Sequence, residues 1–291
     1  MIDIGRVGIW QGVFDGHPAG AVREAVAELD ELGWPCLWIP ETVSRDPFVS
    51  AAVILEATQR MKVATGIASI WARDAMTTSN VSKTLNEAYD GRFLLGLGVS
   101  HHTITEWVRK HDYSKPLTRM REYLERMDKS MYKGVAPAEP PSRVIAALGP
   151  KMLALSAELA DGAHPYFVPV EHTPIARAAV GPDKIVATEQ MVILETDPAV
   201  AREIARKHMR VYLDLPNYAN NLLRFGFTEE DLTSASDRVV DAIVVWGTTD
   251  AIKERVQAHL DAGASHVCVQ VLSADNAIPL PAWRELAAAL L

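Results

Sequence analysis

Two side chains that can exchange protons follow short apolar runs of the chain. Glu41 comes soon after the run 36–39, and His101 comes just after the run 93–99. A carboxylate and an imidazole can act as acid or base on a bound molecule near neutral pH, so both are candidate catalytic residues. Glu41 could instead pair with Arg45 or cap the helix beyond it, and His101 could only contact a ligand or lie in an exposed loop.

The adjacent histidines His101 and His102 do not predict a zinc site. Neighbouring side chains point apart, and only Glu106 stands at a spacing that could add a ligand to the pair. We therefore expect no metal.

Glycines interrupt two apolar runs at positions where a side chain would be expected. Gly66 lies in one run, and Gly96 and Gly98 lie in another. Glycine weakens a strand, so each position indicates a bulge, a close approach of a ligand to the backbone, or tight packing of small residues. Gly149 and Pro150 precede an apolar-striped helix, whose free N–H groups and dipole suit an anion such as a phosphate.

Strand-like and helix-like segments alternate along the chain and must position these residues. The strand-like runs are apolar without alternation, which is typical of a parallel sheet covered on both faces. Eight of them lie near residues 7, 36, 63, 93, 144, 163, 186 and 267. Eight strand–helix units predict an α/β fold of the (β/α)8 TIM-barrel type. The doubly wound alternative would need a Gly-x-Gly-x-x-Gly motif after the first strand, and Gly12 and Gly16 have the wrong spacing.

Two segments, 101–141 and 214–247, exceed a minimal barrel. Insertions at the C-terminal ends of barrel strands build active-site walls. We therefore interpret residues 1–291 as a single barrel domain with both insertions at its C-terminal face.

Composition excludes several classes of protein. The chain has 29 Lys and Arg against 37 Asp and Glu, a net charge of −8. This balance lacks the basic surface of a nucleic-acid binder, and no apolar run approaches the ~18 residues of a membrane span. Residues 1–6 read as a strand rather than a signal peptide, and Cys36 and Cys268 lie in apolar runs as buried free thiols do. We expect a cytoplasmic protein, large enough for an enzyme core, with neither a nucleic-acid nor a membrane partner.

Several segments resemble one enzyme superfamily. Residues 31–41 (ELGWPCLWIPE) are similar to the second-strand motif of the bacterial luciferase-like superfamily. Further segments follow in that superfamily's order: 64–67 (ATGI), 91–98 (GRFLLGLG) and 149–150 (GP). Other segments resemble an actinobacterial subgroup of coenzyme F420-dependent oxidoreductases: 70–74 (IWARD), 111–116 (HDYSKP), 215–218 (LPNY) and 245–248 (VWGT).

The resemblance implies a luciferase-like (β/α)8 barrel that binds a deazaflavin or flavin at its C-terminal mouth. Family members often carry a non-proline cis peptide after the third strand, which would fall at Gly66–Ile67 and back the central ring of the cofactor. Together with the glycine pattern, the resemblance predicts these cofactor-binding residues: Thr65, Gly66, Ile67, Ala68, Ser69, Gly98, Ser100, Leu148, Gly149, Pro150 and Lys151. The last three would hold the cofactor phosphate.

The resemblance favours hydride transfer between coenzyme F420 and a small organic substrate. An FMN-dependent monooxygenase of the same fold is the alternative, and a cofactor-free lyase or isomerase or a non-catalytic cofactor binder is a third interpretation. The family's glucose-6-phosphate dehydrogenases carry Asp-His and Glu where this chain has Glu41-Thr42 and Ser100-His101, which argues against a sugar phosphate.

Aromatic and polar residues near the strand ends predict a moderately apolar substrate pocket. Its expected walls are Trp10, Trp71, Tyr166, Asn217 and Tyr218. The anionic polyglutamate tail of F420 would need cations at the rim, for which the candidates are Arg45, Arg73 and Lys151.

The resemblance also implies a homodimer, paired through the helices over residues 47–58 and 74–89. The second of these helices carries small residues that would let two helices approach closely: Ala75, Thr78, Ser79 and Ser82.

Overall fold

Short runs rich in Val, Ile, Leu and aromatic residues form the strands of this chain, because residues of this kind pack well on a pleated surface. A computed structural model describes residues 1–291. Its ten strands are β1 (Val7–Trp10), β2 (Cys36–Ile39), β3 (Lys62–Thr65), β4 (Ala68–Ser69), β5 (Phe93–Gly98), β6 (Arg143–Ile145), β7 (Gly162–Ala163), β8 (Ile185–Ile193), β9 (Val244–Trp246) and β10 (His266–Val271).

Twelve α-helices separate or follow these strands. They are α1 (Ala19–Glu31), α2 (Pro47–Glu56), α3 (Ala75–Ala88), α4 (Pro116–Asp128), α5 (Pro150–Leu159), α6 (His172–Val180), α7 (Pro198–Leu213), α8 (Pro216–Arg224), α9 (Glu229–Ser234), α10 (Asp237–Ile243), α11 (Thr249–Asp261) and α12 (Leu280–Leu290). Asp46, Asp74 and Asp197 accept backbone N–H groups at the starts of α2, α3 and α7, which satisfies donors that a helix start leaves free.

The sheet closes on itself as a parallel barrel. β10 pairs in parallel with β1 on one side and with β8 on the other, in the registers Val7↔Val267 and His266↔Ala187. The ring runs β1-β2-β3-β5-β6-β7-β8-β10, with β4 beside β5 and β9 beside β8. The predicted (β/α)8 barrel and its eight strands are therefore confirmed.

Alternate strand residues serve two separate apolar cores, as the two faces of a pleated strand require. Ile9, Leu37 and Val63 belong to the core shared with the surrounding helices. Trp38 and Leu94 belong to the core that fills the barrel. Because both faces are buried, the strand sequences run on as continuous apolar segments.

The two insertions lie where the barrel strands end. Segment 101–141 contains a π-helical turn, Thr103–Val108, and α4. Segment 214–247 contains α8, α9 and α10, and also the strand β9, which sequence analysis did not predict. Thr228 begins α9 with a capping box.

The small residues of α3 lie at a contact within the chain. Thr78 and Ser79 are buried, and their side chains hydrogen-bond Tyr123 and the Met127 carbonyl of α4. These small residues are therefore not available to a second subunit. The argument from the sequence that they let the helices of two subunits approach closely was wrong. The expected dimer itself stays a prediction.

Both cysteines are buried free thiols inside the barrel core, and burial raises the pKa of each. No helix combines the length and the hydrophobicity that a membrane crossing would need.

Candidate active site

A cleft opens across the carboxyl ends of the barrel strands. It consists of two adjoining cavities of about 450 and 200 Å³. Both are lined by Ile67, Ser100, His101, Ala146, His164, Tyr166 and Tyr218. The larger cavity continues toward Trp10, Thr42 and Tyr212, and the smaller toward Leu148, Gly149 and Asn217. The cleft thus joins most of the segments that the sequence selected.

The floor of the cleft is the segment after β3. The peptide bond Gly66–Ile67 is cis, as the resemblance implied. A Cβ on Gly66 would lie 2.7 Å from Trp10 Nε1, which donates a hydrogen bond to the Gly66 carbonyl. A Cβ on Gly98 would lie 2.5 Å from the Ile67 side chain. The glycines let the backbone pass close to the aromatic wall and to the neighbouring strand.

His101 stands between the two cavities and is half-buried. Its Nδ1 donates to Asn217 Oδ1 at 3.2 Å, and its ring packs against Tyr218. Burial lowers the pKa of His101, and the hydrogen bond to Asn217 partly offsets this effect. The imidazole is therefore neutral near pH 7 and can take up or give a proton. The neighbouring His102 instead points to Glu106, 3.0 Å away.

Both carboxylate oxygens of Glu41 are held by hydrogen bonds and ion pairs within the protein. Its carboxylate accepts from Arg73 and Arg109 at about 3.0 Å and from the Ser69 backbone N–H at 2.8 Å. The alternative partner Arg45 donates to the His17 carbonyl instead. Although Glu41 touches the larger cavity, this pairing makes it an anchor that ties the 101–141 insertion to the barrel.

Several residues that the sequence selected lie outside the lining of the cleft. Trp71 donates to the Val99 carbonyl at 2.7 Å and packs against Tyr113, so it supports the wall from behind. Thr65, Ala68 and Ser69 are buried beneath the floor. The Thr65 hydroxyl, for example, donates to the Gly96 carbonyl at 2.7 Å.

The rim cations that the sequence selected are mostly occupied. Arg73 lies between Glu41 and Asp46, which neutralise it, and Arg45 is held by a backbone carbonyl. Lys151 is exposed on the first turn of α5 and forms no ion pair. Of the predicted basic rim, only Lys151 remains free to meet an anionic tail.

A cation that sequence analysis missed lies over the start of α5. The guanidinium of Arg224, at the end of α8, lies 3.3 Å from the place where a Cβ of Gly149 would stand. It donates to Asn221 Oδ1, while the buried Asn221 Nδ2 has no partner. A helix start, a guanidinium and an unpaired amide donor are all groups that can donate hydrogen bonds to an anion. No local pattern around residue 224 indicates that it reaches residue 149.

Further aromatic and polar residues of the cleft were also missed. Tyr212, on α7, lines the larger cavity, and His164, just after β7, lines both. The His164 ring stacks on Trp38 with its centroid 4.4 Å away and donates from Nδ1 to the Ala187 carbonyl. Burial lowers the pKa of His164 to about 4, so this ring is a neutral part of the floor.

Beside the cleft, β8 carries a buried carboxyl group. Glu189 Oε2 accepts from the Phe167 backbone N–H at 3.2 Å, and Oε1 has no partner. Burial raises the pKa of Glu189 to about 8, so the group is mostly protonated at pH 7. A neutral acid costs much less to bury than a carboxylate, which accounts for its place among tyrosines.

A cavity of about 360 Å³ between α1 and α2 lies apart from this cleft. Its three charged residues are already engaged: Arg45 donates to the His17 carbonyl, Asp46 pairs with Arg73, and Asp15 accepts from the Thr42 hydroxyl. The cleft at the barrel mouth is the better candidate for chemistry.

Comparison with known proteins finds relatives over most of the chain. The family model described as luciferase-like monooxygenase matches residues 7–266. A putative coenzyme F420-dependent oxidoreductase of Mycobacterium tuberculosis is 24% identical over an alignment of 340 positions, which covers 95% of this chain and 98% of that protein. The 5,10-methylenetetrahydromethanopterin reductase of Archaeoglobus fulgidus is 26% identical over 286 residues, covering 82% and 85%. The structure of an F420-dependent secondary alcohol dehydrogenase with an F420–acetone adduct superposes with a TM-score of 0.80 at 13% identity, covering 99% and 100%.

Proposed function

The chain belongs to the luciferase-like monooxygenase family, and we propose that it is a coenzyme F420-dependent oxidoreductase. In this proposal it transfers a hydride between the deazaflavin and a small, uncharged organic molecule. The similarity to a mycobacterial protein described as a coenzyme F420-dependent oxidoreductase, over 95% of the chain, supports the choice of cofactor. The observation that carries the proposal is the division of the cleft into a half that ends at the start of α5 beside Arg224 and a half whose lining has no Lys or Arg.

The smaller half fits a flat ring with a phosphate-bearing tail. Its floor contains Ile67 and Gly98, and it ends at Gly149, below Arg224. The unpaired Nδ2 of Asn221 and the guanidinium offer donors that a phosphate would satisfy. Gly149 leaves the space that such a group needs. We assign the predicted phosphate contact to this place, with Arg224 as an additional residue that holds it.

The larger half fits an apolar substrate. Its eighteen lining residues include no Lys or Arg, and Glu41 is neutralised by two arginines. Trp10, Tyr166 and Tyr218 supply aromatic walls. A sugar phosphate would need inward-facing cations that this half lacks. The proposed substrate is therefore uncharged and mostly hydrocarbon.

The chain's own residues orient the reactants and handle the proton. When bound, the deazaflavin would supply the carbon that gives or accepts the hydride. His101 is the proposed acid–base residue, because its Nδ1 is fixed by Asn217 and its Nε2 is left to serve the cleft. Glu41, the other residue proposed from the sequence, holds Arg73 and Arg109 and is assigned a positioning role.

A screen of alcohols, aldehydes and ketones against oxidised and reduced F420 tests this function. Wild-type protein should change the visible absorbance of F420 with at least one of these compounds. His101→Ala should lower kcat by about 100-fold, as loss of a general acid–base group does, with little change in F420 affinity. His102→Ala, whose side chain faces Glu106, is the matched control and should keep wild-type turnover.

Two results would contradict the proposal. Tight binding of FMN without affinity for F420 would favour the monooxygenase alternative. Loss of both F420 binding and turnover in His101→Ala would make this residue a cofactor contact instead of the acid–base residue.

A further inference from the structure

We propose that the hydroxyl of Tyr212 binds an oxygen of the substrate. We also propose that a hydrogen-bonded row of three further side chains lets this hydroxyl act either as donor or as acceptor. The row runs from Tyr212 through Tyr166 and Gln270 to His208. The inference deepens the proposed function, on which it rests for the reaction, and it narrows the substrate to an apolar molecule that carries a hydroxyl or carbonyl group.

The four side chains form a continuous hydrogen-bonded row. The Tyr166 hydroxyl lies 2.9 Å from the Tyr212 hydroxyl and 2.9 Å from Gln270 Oε1. Gln270 Nε2 donates to His208 Nε2 at 3.3 Å. These residues come from three elements: Tyr212 and His208 from α7, Gln270 from β10, and Tyr166 from the segment after β7.

Tyr212 stands at the substrate end of the cleft. It lines the larger cavity but not the smaller one. It also lines a further cavity of about 330 Å³, into which His208 and Gln270 open. Tyr212 therefore lies between the two spaces and ends the hydrogen-bonded row, so its hydroxyl is the group of the row that we assign to the substrate. Beside it lie the aliphatic side chains of Val211 and Leu215.

With Gln270 Nε2 toward His208, the row makes Tyr212 an acceptor toward the cleft. Gln270 donates to His208 and accepts from Tyr166, so the Tyr166 oxygen is left to accept from Tyr212. The Tyr212 hydrogen then points away from the cleft, and its remaining lone pair can accept a hydrogen bond from a substrate hydroxyl. This arrangement suits an alcohol.

The reverse orientation suits a carbonyl group. Burial lowers the pKa of His208 to about 4, so the ring is neutral, and either ring nitrogen can carry its hydrogen. If Nε2 carries it, His208 donates to Gln270 Oε1 after the amide turns over, and Gln270 then donates to Tyr166. Tyr166 donates to Tyr212, and Tyr212 donates into the cleft. All hydrogen bonds are kept, so the row can serve both the alcohol and the ketone of an oxidoreduction.

Binding of three size-matched probes to the purified protein tests the inference. The probes are cyclohexanol, cyclohexanone and methylcyclohexane, and Kd is measured by ligand-observed NMR with and without F420. Tyr212→Phe should weaken both oxygen-bearing probes about three- to tenfold, the range for one lost hydrogen bond, and change methylcyclohexane less than twofold. Tyr132→Phe removes a hydroxyl outside the cleft and should leave all three Kd values unchanged.

His208→Lys tests the row behind Tyr212. A charged ammonium group can only donate, so it should hold the row in the orientation in which Tyr212 donates. The ratio of the two Kd values should then shift at least threefold in favour of cyclohexanone, a change that a merely structural role would not produce.

Equal weakening of all three probes by Tyr212→Phe, or no weakening, would overturn the inference. If His208→Lys leaves the ratio of the Kd values for cyclohexanol and cyclohexanone unchanged, the row does not control whether Tyr212 donates or accepts, and that part of the inference is wrong. Because the probes can be measured without F420, failure of F420 to bind would contradict the proposed function and leave this test intact.

Discussion

Replacing Glu189 by Gln should make the stability of this protein less dependent on pH. Glu189 is 2% exposed, and its carboxyl group accepts one backbone N–H from Phe167 and has one oxygen without a partner. Gln has the same shape, can keep the bond to Phe167, and cannot ionise. The substitution therefore removes the titration while it preserves the packing.

The size of the effect follows from the raised pKa. Burial raises the pKa of Glu189 from 4.5 to about 8 in the folded protein. Above pH 4.5 the unfolded chain releases its proton while the folded protein keeps it, so unfolding becomes more favourable as pH rises, until pH 8. At about 1.4 kcal/mol per pH unit, the free energy of unfolding should fall by about 3–4 kcal/mol between pH 5 and pH 8 because of this group.

Urea unfolding followed by circular dichroism at pH 5, 6, 7 and 8 measures this difference. The free energy of unfolding of Glu189→Gln, relative to wild type, should rise steadily over this range. Glu254→Gln, which changes an exposed carboxylate on α11, should follow the wild-type profile. Parallel profiles for wild type and Glu189→Gln would refute the reasoning, because Glu189 would then ionise equally in both states.

Four further predictions follow from the site. Gly66→Val should lower F420 affinity at least tenfold in a fluorescence titration, because its Cβ would lie 2.7 Å from Trp10 Nε1; unchanged affinity would contradict the location of the floor. Arg109→Leu should speed proteolysis within the 101–141 insertion, since it breaks the 3.0 Å link to Glu41, and an unchanged digestion pattern would argue against that anchor. Arg224→Leu should weaken F420 binding about tenfold or more, as loss of a charge-assisted hydrogen bond does, and equal affinity would remove Arg224 from the phosphate site. Light scattering at micromolar concentration should show the dimer that the family resemblance implies, and a monomer would refute it.

The barrel could be predicted from the sequence because its strands are buried on both faces. Runs such as 36–39 and 93–98 are apolar throughout, and helical stripes separate them, so the order of elements is visible without any long-range information. The three-residue strand β9 and the π-helical turn 103–108 escaped prediction. Both are too short to show a period, and packing against β8 and the barrel mouth determines them.

Most of the site that could be predicted follows the strands; Asn217 and Tyr218 on α8 were found through the resemblance of segment 215–218. Gly66 and His101 were found because residues after barrel strands meet at one face. Tyr212 and Arg224 come from helices, and a helical stripe does not show which polar side chain reaches across to another element. Glu41 was placed correctly at the mouth, but its pairing with Arg73 and Arg109 depends on contacts 32 and 68 residues away.

The central claim is that this cleft binds coenzyme F420 in preference to FMN. Equilibrium titration of the purified protein with each cofactor, followed by absorbance and then by competition between the two, measures this preference directly. The account predicts saturable binding of F420 that FMN does not displace at equal concentration. Displacement of F420 by equimolar FMN, or binding of FMN alone, would contradict it.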